Sequence, residues 1–286
     1  MFTSKLSEIN DQLTYSEQLI ANAILSDYTD FEVMTSVEMA EKVGVGQATV
    51  IRFSKKLGYP TFKSMMLDIA TDSSFYSSNE VRDDESTRSI MGKMKNLYEV
   101  SVDDALTNNT DETIDSVVDV IEKADRVFCY GVRTSNALVE IMYYRLLEIG
   151  ESVIRALDSI EAISIGKNLT PSDVLFIVSV SGETPEAVAV TKCAKEQGAT
   201  IVSITGSQNN TIQGLSTISL KSAEYDMRAH RFNLVNRCSQ LFLLDSIFMK
   251  LWKNDDERYI RQILDVTDKQ VEAGLVISHK DNSYRL

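Results

Sequence analysis

Apolar positions in the first 75 residues recur three and four apart with little alternation, which is the period of a helix rather than a strand. Leu13, Ile20, Ile24 and Leu25 predict a helix over about 15–27, with Thr14 as its cap. Ser36 reads as the N-cap of a short helix faced by Met39, Ala40 and Val43, which Gly44-Val45-Gly46 breaks. Gln47 to Leu57 predicts the next helix, ended by Gly58 as a C′ glycine, and a further helix covers about 61–71. Residues 73–89, SSFYSSNEVRDDESTRS, lose the period and become polar, which predicts a linker. Two more helices run from about Ile90 to near Lys123. The pattern then changes. Short β-rich runs at 126–130, 152–156, 173–178, 200–205 and 217–220 alternate with amphipathic stretches such as 135–149 and 185–197. A long helix over about 228–252 and a charged tail helix close the chain.

Strands alternating with helices imply a parallel sheet covered on both faces. The expected architecture is therefore an all-α domain over 1–76, a linker and connecting helix over 77–107, a doubly wound α/β domain with a five-stranded parallel sheet over 108–254, and a C-terminal helix and tail over 255–286.

Composition narrows the class. The 286 residues are 43% hydrophobic and 25% charged, which is ordinary for a globular protein. The longest purely apolar strand-like run, Val174 to Val178, is far short of a membrane span, and MFTSKLSEIND is too polar for a signal peptide. Cys129, Cys193 and Cys238 are odd in number and far apart. They fit neither a disulfide framework nor a metal site, and read as buried free thiols in a reducing cytoplasm. A net charge of −13 argues against nucleic acid only if the charge is spread evenly. Residues 1–77 carry six bases against ten acids, yet between 42 and 67 stand Lys42, Arg52, Lys55, Lys56 and Lys63 with no acid.

That basic window coincides with the segment SVEMAEKVGVGQATVIRFSKKLGY, which has the layout of a helix-turn-helix. Ala40 is small enough for the helix crossing, Gly44 supplies the turn, and Val45 plugs the gap between the helices. The second helix offers Gln47, Thr49 and Arg52 near its start, with Ala48, Val50 and Ile51 for packing and methyl contact. A recognition helix reads bases through its first residues while bases further along grip phosphate. The DNA-contact set is thus Ser36 at the head of the first helix, Gln47, Thr49, Arg52, Lys55 and Lys56. The motif S-x-E-M-A-x-x-x-G-V-x-x-A-T-V-x-R-F-x-K-K-L-G-Y resembles the N-terminal domain of RpiR-type regulators. Gly46 departs from that pattern, which usually has serine there; glycine still serves as an N-cap.

A second motif follows the third β-run. Ser179-Val180-Ser181-Gly182-Glu183-Thr184 leads into a helix starting at Pro185. Helix N-termini present free N–H groups and partial positive charge, Ser179, Ser181 and Thr184 add hydroxyls, and Gly182 permits close backbone approach. Such a cradle holds a phosphate without Lys or Arg. The run resembles the S-x-S-G-x-T signature of SIS (sugar isomerase) domains. A second SIS element, G-x-G-x-S after the first strand, reads here Gly131-Val132-Arg133-Thr134-Ser135. Gly131 and Ser135 match; Arg133 replaces the second glycine, and either adds a bidentate phosphate contact, the favoured reading, or narrows the pocket. The effector set is therefore Gly131, Arg133, Ser135, Ser179, Ser181, Gly182, Glu183 and Thr184, with Glu183 facing sugar hydroxyls or solvent.

RpiR-type regulators join these two domains in this order. The resemblance implies a transcriptional regulator of sugar or amino-sugar metabolism. It would bind a double-stranded DNA operator, answer to a sugar phosphate or amino-sugar phosphate, and form a homodimer or homotetramer, with no catalytic residues, metal or cofactor. The alternative is an aldose–ketose phosphosugar isomerase with an added helical domain. SIS isomerases use a histidine, and only His230 and His279 exist here. His230 and Glu224 are weak candidates for sugar contact, a surface or interface role being the favoured reading for the histidine. The stretch from Arg237 to Asp245 reads as core and dimer interface.

Overall fold

The computed structural model describes residues 2–9, 12–26, 34–79, 84–206, 209–223 and 234–274. His230, His279, Glu224 and the start of the long helix near 228 lie outside the described residues. The chain divides into two compact units, the first running to Leu106 and the second beginning at Thr107; Lys221–Ala223 and Leu234–Ser239 group with the first.

The first unit is helical: α1 (Phe2–Ile9), α2 (Tyr15–Ser26), α3 (Ser36–Val43), α4 (Gln47–Lys56), α5 (Phe62–Asn79) and α6 (Thr87–Asn108). One apolar cluster holds the first five together, with Phe2, Ile20, Ile24, Met39, Val50, Phe53, Met65 and Ile69 all fully buried. Two sequence expectations are corrected. The polar run from 73 is helical through Asn79, and 87–89 begins α6. No glycine or proline interrupts 62–79, so loss of the apolar period does not end the helix there. The N-cap of α3 is Thr35, not Ser36: its hydroxyl accepts the Glu38 N–H while the Glu38 carboxylate accepts the Thr35 N–H, a reciprocal capping box. Gly44 and Gly58 both adopt the left-handed backbone expected of them.

The second unit opens with α7 (Asp111–Glu122) and continues as β1 (Val127–Gly131), α8 (Thr134–Glu148), β2 (Val153–Arg155), α9 (Ser159–Lys167), β3 (Val174–Ser179), α10 (Pro185–Glu196), β4 (Thr200–Thr205), α11 (Thr211–Leu215) and β5 (Ile218–Lys221). The long α12 (Leu234–Asn254) and α13 (Asp256–Glu272) follow. The five strands form one parallel sheet in the order β2-β1-β3-β4-β5. β1 and β3 are buried along their whole length, whereas β2 at the edge is only half-buried. Helices on both faces explain why β3 is apolar at five successive positions instead of alternating. Cys129 is buried as expected, and burial pushes its thiol pKa up. Cys193 and Cys238 are half-buried rather than buried.

The order in which strands are added reverses between β1 and β3, and open α/β sheets bind ligands outside the carboxyl ends of the strands at that point. The register pairs Gly131 with Val178, so the loops that leave β1 and β3 emerge side by side. Segments some fifty residues apart in the chain are thereby neighbours.

Candidate functional site

In the first unit, α3 and α4 form the helix pair, and Val50, Phe53 and Leu57 turn inward from α4 onto the common core. Gln47, Ala48, Arg52 and Lys55 are exposed on the opposite side, with Thr49 half-buried among them. Gly46 is extended and caps α4 without a side chain, as expected. The Arg52 guanidinium donates to Thr49 Oγ1 at 3.3 Å. Ser36, released from capping, accepts a hydrogen bond at 3.0 Å from Gln47 Nε2, which ties the heads of the two helices together.

Lys56 is differently engaged. Its ammonium donates to the Glu17 carboxylate at 2.8 Å and to the Gln12 carbonyl at 2.6 Å. Glu17 is nearly buried and also accepts the Thr14 N–H and hydroxyl. Burial opposes its ionisation, but the Lys56 and Thr14 bonds outweigh that and hold its pKa below the usual carboxylate range. Lys56 therefore anchors α4 to α2, while Arg52 and Lys55 stay directed to solvent.

In the second unit, the β3–α10 loop is a closed hydrogen-bonded turn. Ser179 Oγ, 3% exposed, accepts the Gly182 N–H at 3.2 Å, and Ser181 Oγ accepts the Glu183 N–H at 3.2 Å. Each hydroxyl spends an acceptor lone pair inside the loop and keeps its proton to donate. Gly182 has φ +64°, a conformation that side chains resist. Thr184 is the N-cap of α10, yet its side chain makes no capping bond, and Pro185 follows at N1. The first-turn N–H groups of Glu186 and Ala187 have no acceptor within the helix.

Glu183 is exposed, in keeping with the solvent-facing alternative, but its carboxylate is engaged within the fold. Its carboxylate accepts the Thr211 N–H at 2.6 Å and the Thr211 hydroxyl at 2.8 Å, and the Ile212 N–H bonds the Gly182 carbonyl at 3.2 Å. The acid caps α11 and braces the loop. A carboxylate spent in this way is not a free base beside the cradle.

The β1–α8 loop lies beside the β3–α10 loop. A Cβ on Gly131 would lie 2.9 Å from the backbone carbon and oxygen of Ser135 and 3.0 Å from Val139 Cγ2, so only glycine lets α8 start this close to the strand. Ser135 is 8% exposed at the head of α8. Arg133 is exposed and has φ +55°, ψ −118°. That backbone suits glycine, which explains the usual residue of the G-x-G-x-S pattern at this position.

Comparison with known proteins matches both domains. Residues 2–75 match the helix-turn-helix domain of the rpiR family, and residues 120–250 match the SIS domain. The chain belongs to the RpiR family of transcriptional regulators. An HTH-type transcriptional regulator of Thermotoga maritima is 28% identical over 88% of this chain and 91% of its own. Among solved structures, the Vibrio vulnificus NanR protein complexed with ManNAc-6P superposes with a TM-score of 0.62 at 20% identity, covering 96% of this chain and 99% of that one. The sugar isomerase domain of an RpiR transcription factor from Sphaerobacter thermophilus gives 0.57 at 18% identity, covering 62% of this chain and 97% of that one. In this RpiR-family regulator, no helix among the described residues is long and apolar enough to cross a membrane, and no group of three or more metal-ligating side chains occurs among them.

Proposed function

We propose that this regulator binds an operator through α4 and answers to a sugar phosphate or amino-sugar phosphate held between the β1–α8 and β3–α10 loops. The observation that carries the reading is the adjacency of those two loops at the switch point of the strand order, where Gly131 pairs with Val178. The phosphate would take hydroxyl donors from Ser179, Ser181 and Thr184 and the free N–H groups at the head of α10. Gly131 and Gly182 would keep the floor close, Ser135 would line the opposite wall, and the exposed Arg133 would reach in from the rim. Glu183 acts as a brace. The NanR neighbour, solved with ManNAc-6P, supports an amino-sugar phosphate as the first compound to try.

On the DNA side, Gln47 and Thr49 form the reading face and Arg52 and Lys55 grip phosphate, with Lys56 holding the helix in place. A homodimer or homotetramer in the cytoplasm fits this reading, and its two-fold symmetry would call for an operator with paired half-sites. The protein acts by binding, not turnover. The test is calorimetry of the full chain with ManNAc-6P, related hexose and pentose phosphates, and the unphosphorylated sugars. Aldose–ketose conversion is assayed on the same samples. Binding that depends on the phosphate, with no turnover, is expected. Turnover at or above roughly 1 per second would make the protein an isomerase instead.

A further inference from the structure

The hydrogen bond between the heads of α3 and α4 has a consequence for which base the protein reads. Gln47 is the first residue of α4, is exposed, and follows a cap residue with no side chain. A Cβ on Gly46 would meet only Thr49 Oγ1, at 3.9 Å, so the backbone at the head of α4 is open on that side. A glutamine here would ordinarily sample many rotamers, because a long side chain loses much entropy when ordered. This one is held. Its Nε2 donates to Ser36 Oγ at 3.0 Å, and Ser36 is itself fixed in the first turn of α3 by the capping box on Thr35.

The clamp also changes what the amide can offer. A carboxamide has two N–H donors and one oxygen acceptor. With one N–H given to Ser36, one N–H donor and the oxygen acceptor remain on an exposed side chain. The major-groove edge of adenine presents an acceptor, N7, beside a donor, the N6 amino group. Guanine presents two acceptors, N7 and O6, and would need the donor that Ser36 has taken. Cytosine offers a donor alone and thymine an acceptor with a methyl group.

We propose that Gln47 reads adenine at one position in each operator half-site, and that Ser36 is the positioning residue that gives it this preference. The inference rests on the helix-turn-helix reading above. Ala48, exposed beside Gln47, is suited to contact a thymine methyl at the adjoining pair.

The experiment selects duplexes from a randomised library with the full-length protein. The best half-site is then titrated with all four base pairs at each position, for wild type, Gln47→Ala, Ser36→Ala and Ser36→Thr. Wild type is expected to prefer an A·T pair at one symmetric position by about 5- to 150-fold, the range of a bidentate contact. Gln47→Ala should erase that preference and leave the others. Ser36→Ala should cut it several-fold and raise tolerance of G·C, with the salt dependence of binding unchanged; Ser36→Thr should restore it. Three results overturn the inference while DNA binding stands: a G·C preference that depends on Gln47, an adenine preference that survives Gln47→Ala, or full discrimination in Ser36→Ala. Failure of the wild-type protein to select any sequence would overturn the regulator reading itself, and this inference with it.

Discussion

Thr184→Val is the cleanest probe of the proposed effector site. Valine keeps the branched shape of threonine and removes only the hydroxyl. In the fold that hydroxyl makes no capping bond, so its loss leaves no broken contact within the protein. An N-cap residue whose side chain does cap costs about 1 kcal/mol to remove; here the stability change should be within a few tenths. A hydrogen bond to a charged group is worth about 1.5–3 kcal/mol. If Thr184 donates to the phosphate, the variant should bind the sugar phosphate about 10- to 150-fold more weakly. Because effector and operator share one equilibrium, the effector concentration needed to alter DNA binding should rise by the same factor. Ser181→Ala gives the contrast. Ser181 Oγ already accepts the Glu183 N–H, so its removal loosens the loop as well as losing a donor. It should lower both the melting temperature and effector affinity. Calorimetry with ManNAc-6P, or the tightest binder of the sugar phosphate panel, together with thermal melts and operator titrations, measures all three quantities. Equal effector affinity in wild type, Thr184→Val and Ser181→Ala would mean that the loop is a helix start and nothing more.

Arg52→Ala should weaken operator binding and lower the slope of log K against log salt by about one, as for one lost phosphate contact; titration at four salt concentrations checks it, and an unchanged slope with unchanged affinity removes Arg52 from the interface. Arg133→Gly should relieve a backbone held at φ +55°, where strain costs of order 1–3 kcal/mol, offset by the larger unfolded-state entropy of glycine. A rise of a few degrees in melting temperature is expected, together with weaker effector binding if the guanidinium touches the phosphate; a fall in melting temperature would contradict the strain argument.

Much of this was legible in the sequence because the decisive features are local. The apolar run of β3 stops at a serine-glycine loop and a proline-led helix, and β1 stops at Gly131. These signals need no knowledge of the rest of the chain. The shifted cap of α3 was legible too: Glu38 stands three residues after Thr35, and that spacing, rather than the serine beside it, marks the start. Likewise Phe2, Leu6 and Ile9 stand four and three apart, the period of α1, which was not predicted. Other features depend on partners that only folding supplies. Glu183 reads as a site acid until Thr211, 28 residues later, takes its carboxylate. Lys56 reads as a phosphate grip until Glu17, 39 residues earlier, takes its charge. Arg133 reads as an added donor, and the positive φ at that position becomes visible only in the fold.

The opposite end of the sheet from the candidate site supplies a prediction about pH. Asp173 precedes β3, is 1% exposed, and accepts bonds from Arg126 Nε at 2.9 Å and Nη2 at 2.6 Å. It also accepts the Thr170 N–H at 2.7 Å and hydroxyl at 2.9 Å. The Arg126 bonds, then the Thr170 bonds, outweigh burial and hold its pKa below the ordinary value of 3.8. A carboxyl depressed in the fold adds stability above its unfolded value and loses it as the pH falls through the folded one. Wild type should therefore shed stability from about pH 4 downward, and Asp173→Asn should shed less over that range. At neutral pH the asparagine variant should be less stable by about 3 kcal/mol. That figure is the low end for a broken buried pair, since the Arg126 side chain is 41% exposed and water can take over part of its solvation. Effector affinity at neutral pH should not change, because these groups lie at the amino ends of β1 and β3 and the cradle lies at their carboxyl ends. Urea melts between pH 3 and 7, with calorimetry at pH 7, test both statements. If Asp173→Asn loses stability on acidification as steeply as wild type, other carboxyls govern the acid limb. If it binds the effector differently at neutral pH, the two ends of the sheet are not independent.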